Sequence, residues 1–179
     1  MSSIGRDLQL TLQAAHREAV VRRHAYLTVE HLLYALLHHE DGARILKHSG
    51  ADVQRLRQEL EKFFDEDLER VPGDESVDTL QTLAFHRVIQ HAIDHTRRSE
   101  KDEVEIGDLL AAIFQEPDAH SMTLLRAQGV SRLDLLRYIS HGESKLGGGE
   151  GAEAGAAGAP ILGGEDQEGV PADPLAAFA

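Results

Sequence analysis

The strongest structural signal in this chain is a threonine followed by closely spaced leucines, in the stretch Leu27-Thr28-Val29-Glu30-His31-Leu32-Leu33-Tyr34-Ala35-Leu36-Leu37. Thr28 is a good helix N-cap, because its hydroxyl can accept a backbone N–H that the first turn leaves unpaired. The leucines that follow recur at helical spacing and form one apolar face. Glu30 lies in the first turn, where its carboxylate favours the positive end of the helix dipole, and we expect it to face solvent. The stretch therefore predicts a helix that is buried along its leucine face.

The same pattern returns 77 residues later as Val104-Glu105-Ile106-Gly107-Asp108-Leu109-Leu110-Ala111-Ala112-Ile113-Phe114. Leu32-Leu33 aligns with Leu109-Leu110, and Ala35 aligns with Ala112. Earlier in each half, Leu8, Leu12 and Ala15 match Phe85, Ile89 and Ala92 at the same offset. Each half is too small to bury its apolar faces alone. The repeat therefore predicts two halves that share one core across a pseudo-twofold axis.

Apolar spacing and capping residues predict eight helices, four in each half. The first helix is expected from about Arg6 to Arg23, and the fifth from about Thr79 to Arg98. The other predicted boundaries are N-caps at Asp41, Asp52, Asp118 and Ser131, and C-terminal glycines at Gly50 and Gly129. The expected fold class is all-α, a pseudo-twofold duplicated four-helix repeat.

The composition of the chain predicts its domain boundaries. Residues 1–143 are expected to form the repeat domain, with repeat one at about 1–64 and repeat two at about 79–143. An acidic stretch with a Pro-Gly turn signal separates the repeats. Residues 144–179 are expected to be a flexible acidic linker, because nine of them are glycine and nine are alanine. The last part of that linker, residues 173–179, resembles the start of another structured segment.

Charge and composition exclude several classes of partner. The formal net charge is −13, and such a surface repels phosphate backbones, so nucleic acid is not an expected partner. No run of about 20 apolar residues is available to span a membrane. The chain has no cysteine, and its N-terminus lacks the apolar segment of a signal peptide. A reducing, cytoplasmic location is therefore expected.

Motifs for catalysis and metal binding are weak in this sequence. No glycine-rich run is followed by Lys-Ser or Lys-Thr, and no serine stands in a Gly-x-Ser-x-Gly turn. His91 and His95 lie four residues apart on one predicted helix face, and His24 can meet Asp65 if the helix ends converge. Solvated histidines are the simpler interpretation, and His31 is expected to be a packing residue. We predict no catalytic residue, no metal site and no cofactor.

Three runs resemble the amino-terminal domain of the ClpA family of AAA+ unfoldases, which feed the ClpP peptidase. The three runs are Leu27–Leu37, Leu56–Glu61 and Val130–Gly142. The resemblance covers about residues 6–145 and implies a duplicated four-helix repeat. In the sister families ClpC and ClpB the second half looks more like the first. Here Gly107-Asp108 stands where repeat one has Glu30-His31, which favours ClpA.

The resemblance also implies a function. It implies a mobile docking domain that binds the adaptor ClpS, which delivers N-degron substrates, and that touches some protein substrates directly. In the family, an acidic residue at the position of Glu30 belongs to the adaptor surface. Thr82 and Arg87 are assigned to the same surface because they match the family pattern within Thr82-Leu83-Ala84-Phe85-His86-Arg87-Val88. Without ATPase modules, no enzyme activity is expected, and contact with ClpP is only indirect.

Two alternative functions stay open at this point. The first is a stand-alone regulatory protein that sequesters the adaptor and has no motor. The second is a metal-dependent hydrolase that uses His91 and His95. Titration with zinc separates the hydrolase from the two binding functions.

Overall fold

The computed structural model describes residues 3–146, and this part of the chain is built from eight helices. They are α1 (Arg6–Val21), α2 (Val29–Leu37), α3 (Glu40–His48), α4 (Val53–Glu66), α5 (Leu83–Arg98), α6 (Ile106–Ile113), α7 (His120–Ala127) and α8 (Arg132–His141). Four strands of two residues accompany them: β1 (Ser3–Ile4), β2 (Tyr26–Leu27), β3 (Leu80–Gln81) and β4 (Glu103–Val104). The expected all-α fold class is confirmed. The linker predicted for the tail falls, from residue 147 onward, outside the described residues.

Helix α2 begins after Thr28, as predicted. The Thr28 hydroxyl accepts the backbone N–H of His31 at 3.4 Å, and His31 Nδ1 accepts the backbone N–H of Thr28 at 2.9 Å. This reciprocal contact satisfies donors that a helix start leaves unpaired. The leucines of the stretch Leu27–Leu37 are all buried, so α2 lies at the centre of the domain.

The four short strands display the pseudo-twofold symmetry of the backbone. β1 pairs in parallel with β4, and β2 pairs in parallel with β3. An offset of 77 residues takes β1 to β3 and β2 to β4. The segment before the first helix of each repeat therefore pairs with the segment before the second helix of the other repeat. These strands were not predicted, because two residues are too few to show an alternating pattern.

The turns that follow α1 and α5 repeat the same backbone geometry. Arg23 and Glu100, at the same offset of 77, have φ angles of 59° and 58°. A residue with a side chain adopts this left-handed conformation at a cost of order 1–2 kcal/mol. In both repeats, therefore, a left-handed residue at the same position turns the chain from a helix toward a strand.

One core joins the two repeats. α2 packs against α5, α6 and α7 of the second repeat, and α3 packs against α6 and α8. Leu33 on α2 and its equivalent Leu110 on α6 are both fully buried. Among residues 3–146, no helix has the length and apolar character needed to cross a membrane.

The start of α5 differs from the prediction. The helix begins at Leu83 rather than near Thr79, because Leu80 and Gln81 pair with β2. The Thr82 hydroxyl accepts the backbone N–H of Phe85 at 3.1 Å and is the N-cap. The local apolar pattern runs through this boundary, so spacing alone placed the start too early.

Two further caps also differ from the prediction. α3 is capped by His39 rather than Asp41, and the N-cap of α7 is Ala119 rather than Asp118. α1 ends at Val21, two residues before the predicted Arg23. The other predicted caps are confirmed: the N-caps Asp52 and Ser131, and the glycines Gly50 and Gly129, whose φ angles are 105° and 75°. The cap of α7 is unusual, because alanine has no side-chain acceptor to offer.

Candidate functional site

Glu30 is buried and connects the two repeats. The residue is only 6% exposed, and its Oε2 accepts the backbone N–H of Ser121 at 2.8 Å and the Ser121 hydroxyl at 2.9 Å. Ser121 lies in the first turn of α7, where N–H groups have no partner within the helix. The expectation that Glu30 faces solvent is therefore wrong. Its carboxylate caps a helix of the other repeat.

The sequence before each short helix explains why only α7 needs this cap. His39, before α3, accepts the backbone N–H of Asp41 at 3.0 Å. Ala119, at the corresponding place before α7, makes no side-chain cap. Gly107 stands in repeat two where repeat one has Glu30, so the cap has no symmetric counterpart. α3 is capped locally, and α7 is capped from across the pseudo-twofold axis.

We expect Glu30→Ala to lower the free energy of unfolding by about 1–3 kcal/mol, because two donors on Ser121 lose their buried acceptor. Glu30→Gln keeps an acceptor oxygen and should lose less. Urea unfolding measures both changes, with Glu75→Ala on the exposed part of the chain as a control that stays within about 0.5 kcal/mol. An unchanged urea midpoint for Glu30→Ala would mean that Glu30 is exposed after all.

His24 and His31 form a buried pair beside the start of α2. His24 Nδ1 lies 2.8 Å from His31 Nε2, and neither residue is more than 1% exposed. His31 Nδ1 accepts the N–H of Thr28, so its Nε2 carries the proton and donates to His24. His24 Nε2 then donates to the carbonyl oxygen of Phe64 at 3.1 Å. Both rings are therefore neutral, and each is fixed in one tautomer.

Protonation of this pair is unfavourable. Burial, together with repulsion from His24 and Arg22, lowers the pKa of His31 to about 3. Burial also lowers the pKa of His24. The His31 ring stacks on Phe64, and the Arg22 guanidinium lies 5.0 Å from the centre of that ring. A protonated histidine at this place would lose its hydration and would be repelled by the positive charge of Arg22.

Repeat two carries an ion pair at the equivalent positions. Lys101 and Asp108 stand where repeat one has His24 and His31. Lys101 Nζ lies 2.7 Å from both carboxylate oxygens of Asp108, and Asp108 accepts the backbone N–H of Glu105 at 2.9 Å. A neutral pair in one repeat and an ion pair in the other thus complete the same kind of helix start.

Two of the histidines that the sequence suggested as metal ligands, His24 and His95, have other partners. Asp65 pairs with Arg22 and Arg70 rather than with His24. His95 Nδ1 lies 3.1 Å from Asp108. Within residues 3–146, no group of three or more His, Cys, Asp or Glu side chains is arranged to hold a metal ion.

Thr82 and Arg87 lie at the start of α5 and one turn into it. The Arg87 side chain is 54% exposed, and both carboxylate oxygens of Glu116 accept from its guanidinium, at 3.0 and 2.8 Å. These hydrogen bonds raise the pKa of Arg87. A bidentate contact also fixes the plane of the guanidinium. The structure therefore places Thr82 and Arg87 on one helix, while Glu30 is engaged at α7.

An apolar groove of about 350 Å³ lies between α1 and α5. Its apolar lining is Leu12, Leu27, Phe85 and Ile89, and its polar lining is Gln13, His16, Gln81 and His86. Leu12 and Ile89 are equivalent residues of the two repeats. Apolar walls with a few polar groups are the usual form of a binding site. The groove was not predicted, because it depends on how α1 and α5 are placed together.

A wider cleft of about 830 Å³ lies beside β4, between the start of α1 and the helices α3 and α8. Charged side chains form much of its wall, and Arg44 there already pairs with Asp41 at 2.6 Å. The cleft is larger, but its paired charges offer less to an apolar partner than the groove between α1 and α5.

Comparison with known proteins agrees with this fold. The model of the Clp repeat (R) N-terminal domain matches residues 4–128. A ClpA homolog protein from Fuscovulum blasticum is 37% identical over 144 residues, which make up 80% of this chain and 18% of that protein. The N-domain of ClpV from Vibrio cholerae has a TM-score of 0.62 at 19% identity, covering 80% of this chain and 87% of that one. A complex of a ClpV N-domain with a VipB peptide has a TM-score of 0.62 at 21% identity, covering 80% and 89%.

The two kinds of similarity carry different information. At these identities, the solved structures show the shared fold alone. The family model matches well over half of the chain, while the chain spans less than a fifth of the length of the ClpA homolog. On the match over residues 4–128 and the duplicated four-helix architecture, this chain belongs to the Clp repeat N-terminal domain family.

Proposed function

We propose that this chain is the adaptor- and substrate-docking domain of a ClpA-type unfoldase, and that its adaptor is ClpS, which delivers N-degron substrates in the cytoplasm. The observation that carries the proposal is the apolar groove between α1 and α5. Thr82 caps α5, and the exposed Arg87 lies on the same helix, outside the lining of the groove. The domain binds and performs no chemistry in this role. Any contact with ClpP belongs to the ATPase modules of a longer protein.

The groove and Arg87 suit protein binding for physical reasons. Removing apolar surface from water contributes about 25 cal/mol per Å² of favourable free energy, and four apolar side chains line the groove. The guanidinium of Arg87 presents donors in a fixed plane to a carboxylate or carbonyl of the partner. Because Glu116 already holds this guanidinium, little side-chain freedom is lost when a partner binds.

The solved complex of a ClpV N-domain with a VipB peptide supports the general role, because a domain of the same fold binds a peptide there. Its identity to this chain is 21%, so the position of that peptide is not transferred. The choice of ClpS as the adaptor draws on the ClpA-like sequence instead.

Isothermal titration of the full chain with purified ClpS tests the proposal. We expect saturable one-to-one binding that Arg87→Ala weakens by about tenfold, since a charged contact at the edge of an interface is lost. The matched control is Arg97→Ala, which removes another exposed arginine of α5, paired with Asp94. Arg97→Ala should keep the urea midpoint of the parent chain. Arg87→Ala also removes both hydrogen-bond donors of the buried Glu116 carboxylate and should lower the midpoint, so its binding is measured without urea, where the domain is folded.

Absence of any ClpS binding would contradict the proposed adaptor. Equal weakening by Arg87→Ala and Arg97→Ala would show that general charge, rather than this place on α5, determines the affinity. Thr82→Asn gives a further check, because asparagine is also a good N-cap, so α5 keeps its start while the contact surface changes. We expect it to weaken ClpS binding with little change in stability.

A further inference from the structure

The ribbon formed by β2 and β3 has two different faces. Leu27 and Gln81 are paired across the ribbon and line the groove between α1 and α5. Successive side chains of a strand point to opposite sides, so the other pair, Tyr26 and Leu80, points away from the groove. These two residues are 50% and 56% exposed. Two large apolar side chains therefore stand side by side at the surface.

The ribbon holds this pair in place. The backbone N–H of Leu80 donates to the carbonyl of Ala25 at 3.1 Å, and that of Thr82 donates to the carbonyl of Leu27 at 3.1 Å. Tyr26 and Leu80 are therefore attached to a backbone that is fixed on both sides. Ordering them on binding costs less than ordering the same side chains on a free loop.

An acidic segment at residues 65–78, which comprises the last two residues of α4 and the loop that follows and is here called the acidic loop, borders the pair. The backbone N–H of Ala25, next to Tyr26, donates to the carbonyl of Glu69 at 3.4 Å, and Asp78 precedes Leu80 by two residues. The loop carries seven carboxylates and one arginine, Arg70. Within residues 3–146, the ion pairs of this loop are those of Asp65 with Arg22 and Arg70. No ion pair there involves Asp67, Glu69, Asp74, Glu75 or Asp78.

The Arg23 side chain also lies close to the loop, but the net charge of this surface stays negative. The Arg23 guanidinium donates to the carbonyl oxygens of Val71 and Pro72. These contacts fix the loop against the end of α1 without neutralising a carboxylate. The surface beside Tyr26 and Leu80 is therefore apolar at its centre and acidic at its edge.

We propose that Tyr26, Leu80 and the acidic loop form a second docking surface, the ribbon patch, for protein segments in which Lys or Arg flank a bulky apolar side chain. The bulky side chain packs on Tyr26 and Leu80, and the flanking cations face the loop. A segment with acidic flanks is repelled by the same carboxylates, which makes the surface selective. The inference rests on the proposed docking function and adds a partner chemistry that the groove does not specify.

Fluorescence anisotropy with the full chain and three labelled peptides tests the ribbon patch. The first peptide places Arg and Lys around Leu and Phe, the second replaces its cations with Glu, and the third replaces its apolar residues with Ser. We expect only the first to bind, with an affinity that falls as salt rises, because exposed charges are screened. Equal binding of the first two peptides would overturn the proposal.

Matched variants locate the binding. Leu80→Ser is expected to weaken binding of the first peptide by about fivefold or more, because an apolar anchor at the centre of the patch is lost. Leu133→Ser removes a leucine on α8 that is also 56% exposed, and should leave the affinity unchanged. Equal effects of Leu80→Ser and Leu133→Ser, or no effect of Leu80→Ser, would place the peptide elsewhere.

A charge variant tests the loop. The combined change Asp74→Asn, Glu75→Gln and Asp78→Asn should weaken binding at low salt and flatten the salt dependence. Asp118→Asn with Glu143→Gln neutralises exposed acids away from the loop and should change little; equal weakening by both sets would overturn the proposal. The peptide assays contain no ClpS, so a negative result in them does not change the outcome of the ClpS titration. A chain that binds the first peptide but not ClpS keeps the ribbon patch and loses the proposed adaptor.

Discussion

Leu33→Ala and Leu110→Ala are each expected to lower the free energy of unfolding by about 2–5 kcal/mol. Both side chains are fully buried, on equivalent faces of α2 and α6, and these two helices pack against each other. Truncation removes apolar contacts and leaves a cavity in a close-packed aliphatic core. Since a domain of this kind is stable by only about 5–15 kcal/mol, either change should move the urea midpoint strongly.

The shared core also predicts how these two variants unfold. Each should unfold in a single transition, because damage in one repeat is felt by the other. Leu133→Ala, at a residue that is 56% exposed, is the control and should stay within about 0.5 kcal/mol of the parent chain. Near-neutral results at both buried sites, or separate unfolding of half of the helical signal, would contradict a core common to the two repeats.

Lowering the pH from 7 to 5 is expected to destabilise the domain by about 2 kcal/mol through His31 alone. Its pKa is about 3 in the folded domain, against an ordinary value of 6.5. Between these values the unfolded chain binds a proton that the folded chain does not, so each pH unit below 6.5 costs about 1.4 kcal/mol. The stability is complete above pH 6.5 and is lost steadily as the pH falls toward 3. The lowered pKa of His24 acts in the same direction.

Urea unfolding at several pH values between 7 and 5 measures this effect. His31→Asn removes the titrating ring, and the dependence of its stability on pH should be shallower than that of the parent chain. Leu133→Ala changes an exposed residue that does not titrate and should keep the parental slope. If the stability of the parent chain were flat between pH 7 and 5, the neutral buried pair of His24 and His31 would be the wrong description.

The helices could be predicted from sequence because two independent local signals agree. Around Thr28 and Ser131, a side-chain cap and an apolar stripe of helical period coincide, and both helices begin where expected. The strands carry no such local signal. Leu80 and Gln81 are extended because they pair with Tyr26 and Leu27 of the other repeat, and this pairing also delays the start of α5.

Glu30 shows why the candidate site could not be predicted as well as the fold. A carboxylate in the first turn of a helix ordinarily interacts with the dipole and with water. Here its hydrogen bonds lead to Ser121, in a helix of the other repeat. One local clue was available: Ala119 has no acceptor to cap α7, so a cap had to come from elsewhere. No comparable clue reveals the groove, which exists only once α1 and α5 are placed together.

The measurement that tests the docking role most directly is an NMR titration of the full chain with purified ClpS, followed through its backbone amides. We expect the largest shifts from Thr82 to Ile89 and along the groove side of α1. The amide of Ser121, held by Glu30 inside the domain, should stay in place. Shifts confined to α7 and α8, or an unchanged spectrum at a saturating concentration of ClpS, would contradict docking at the groove between α1 and α5.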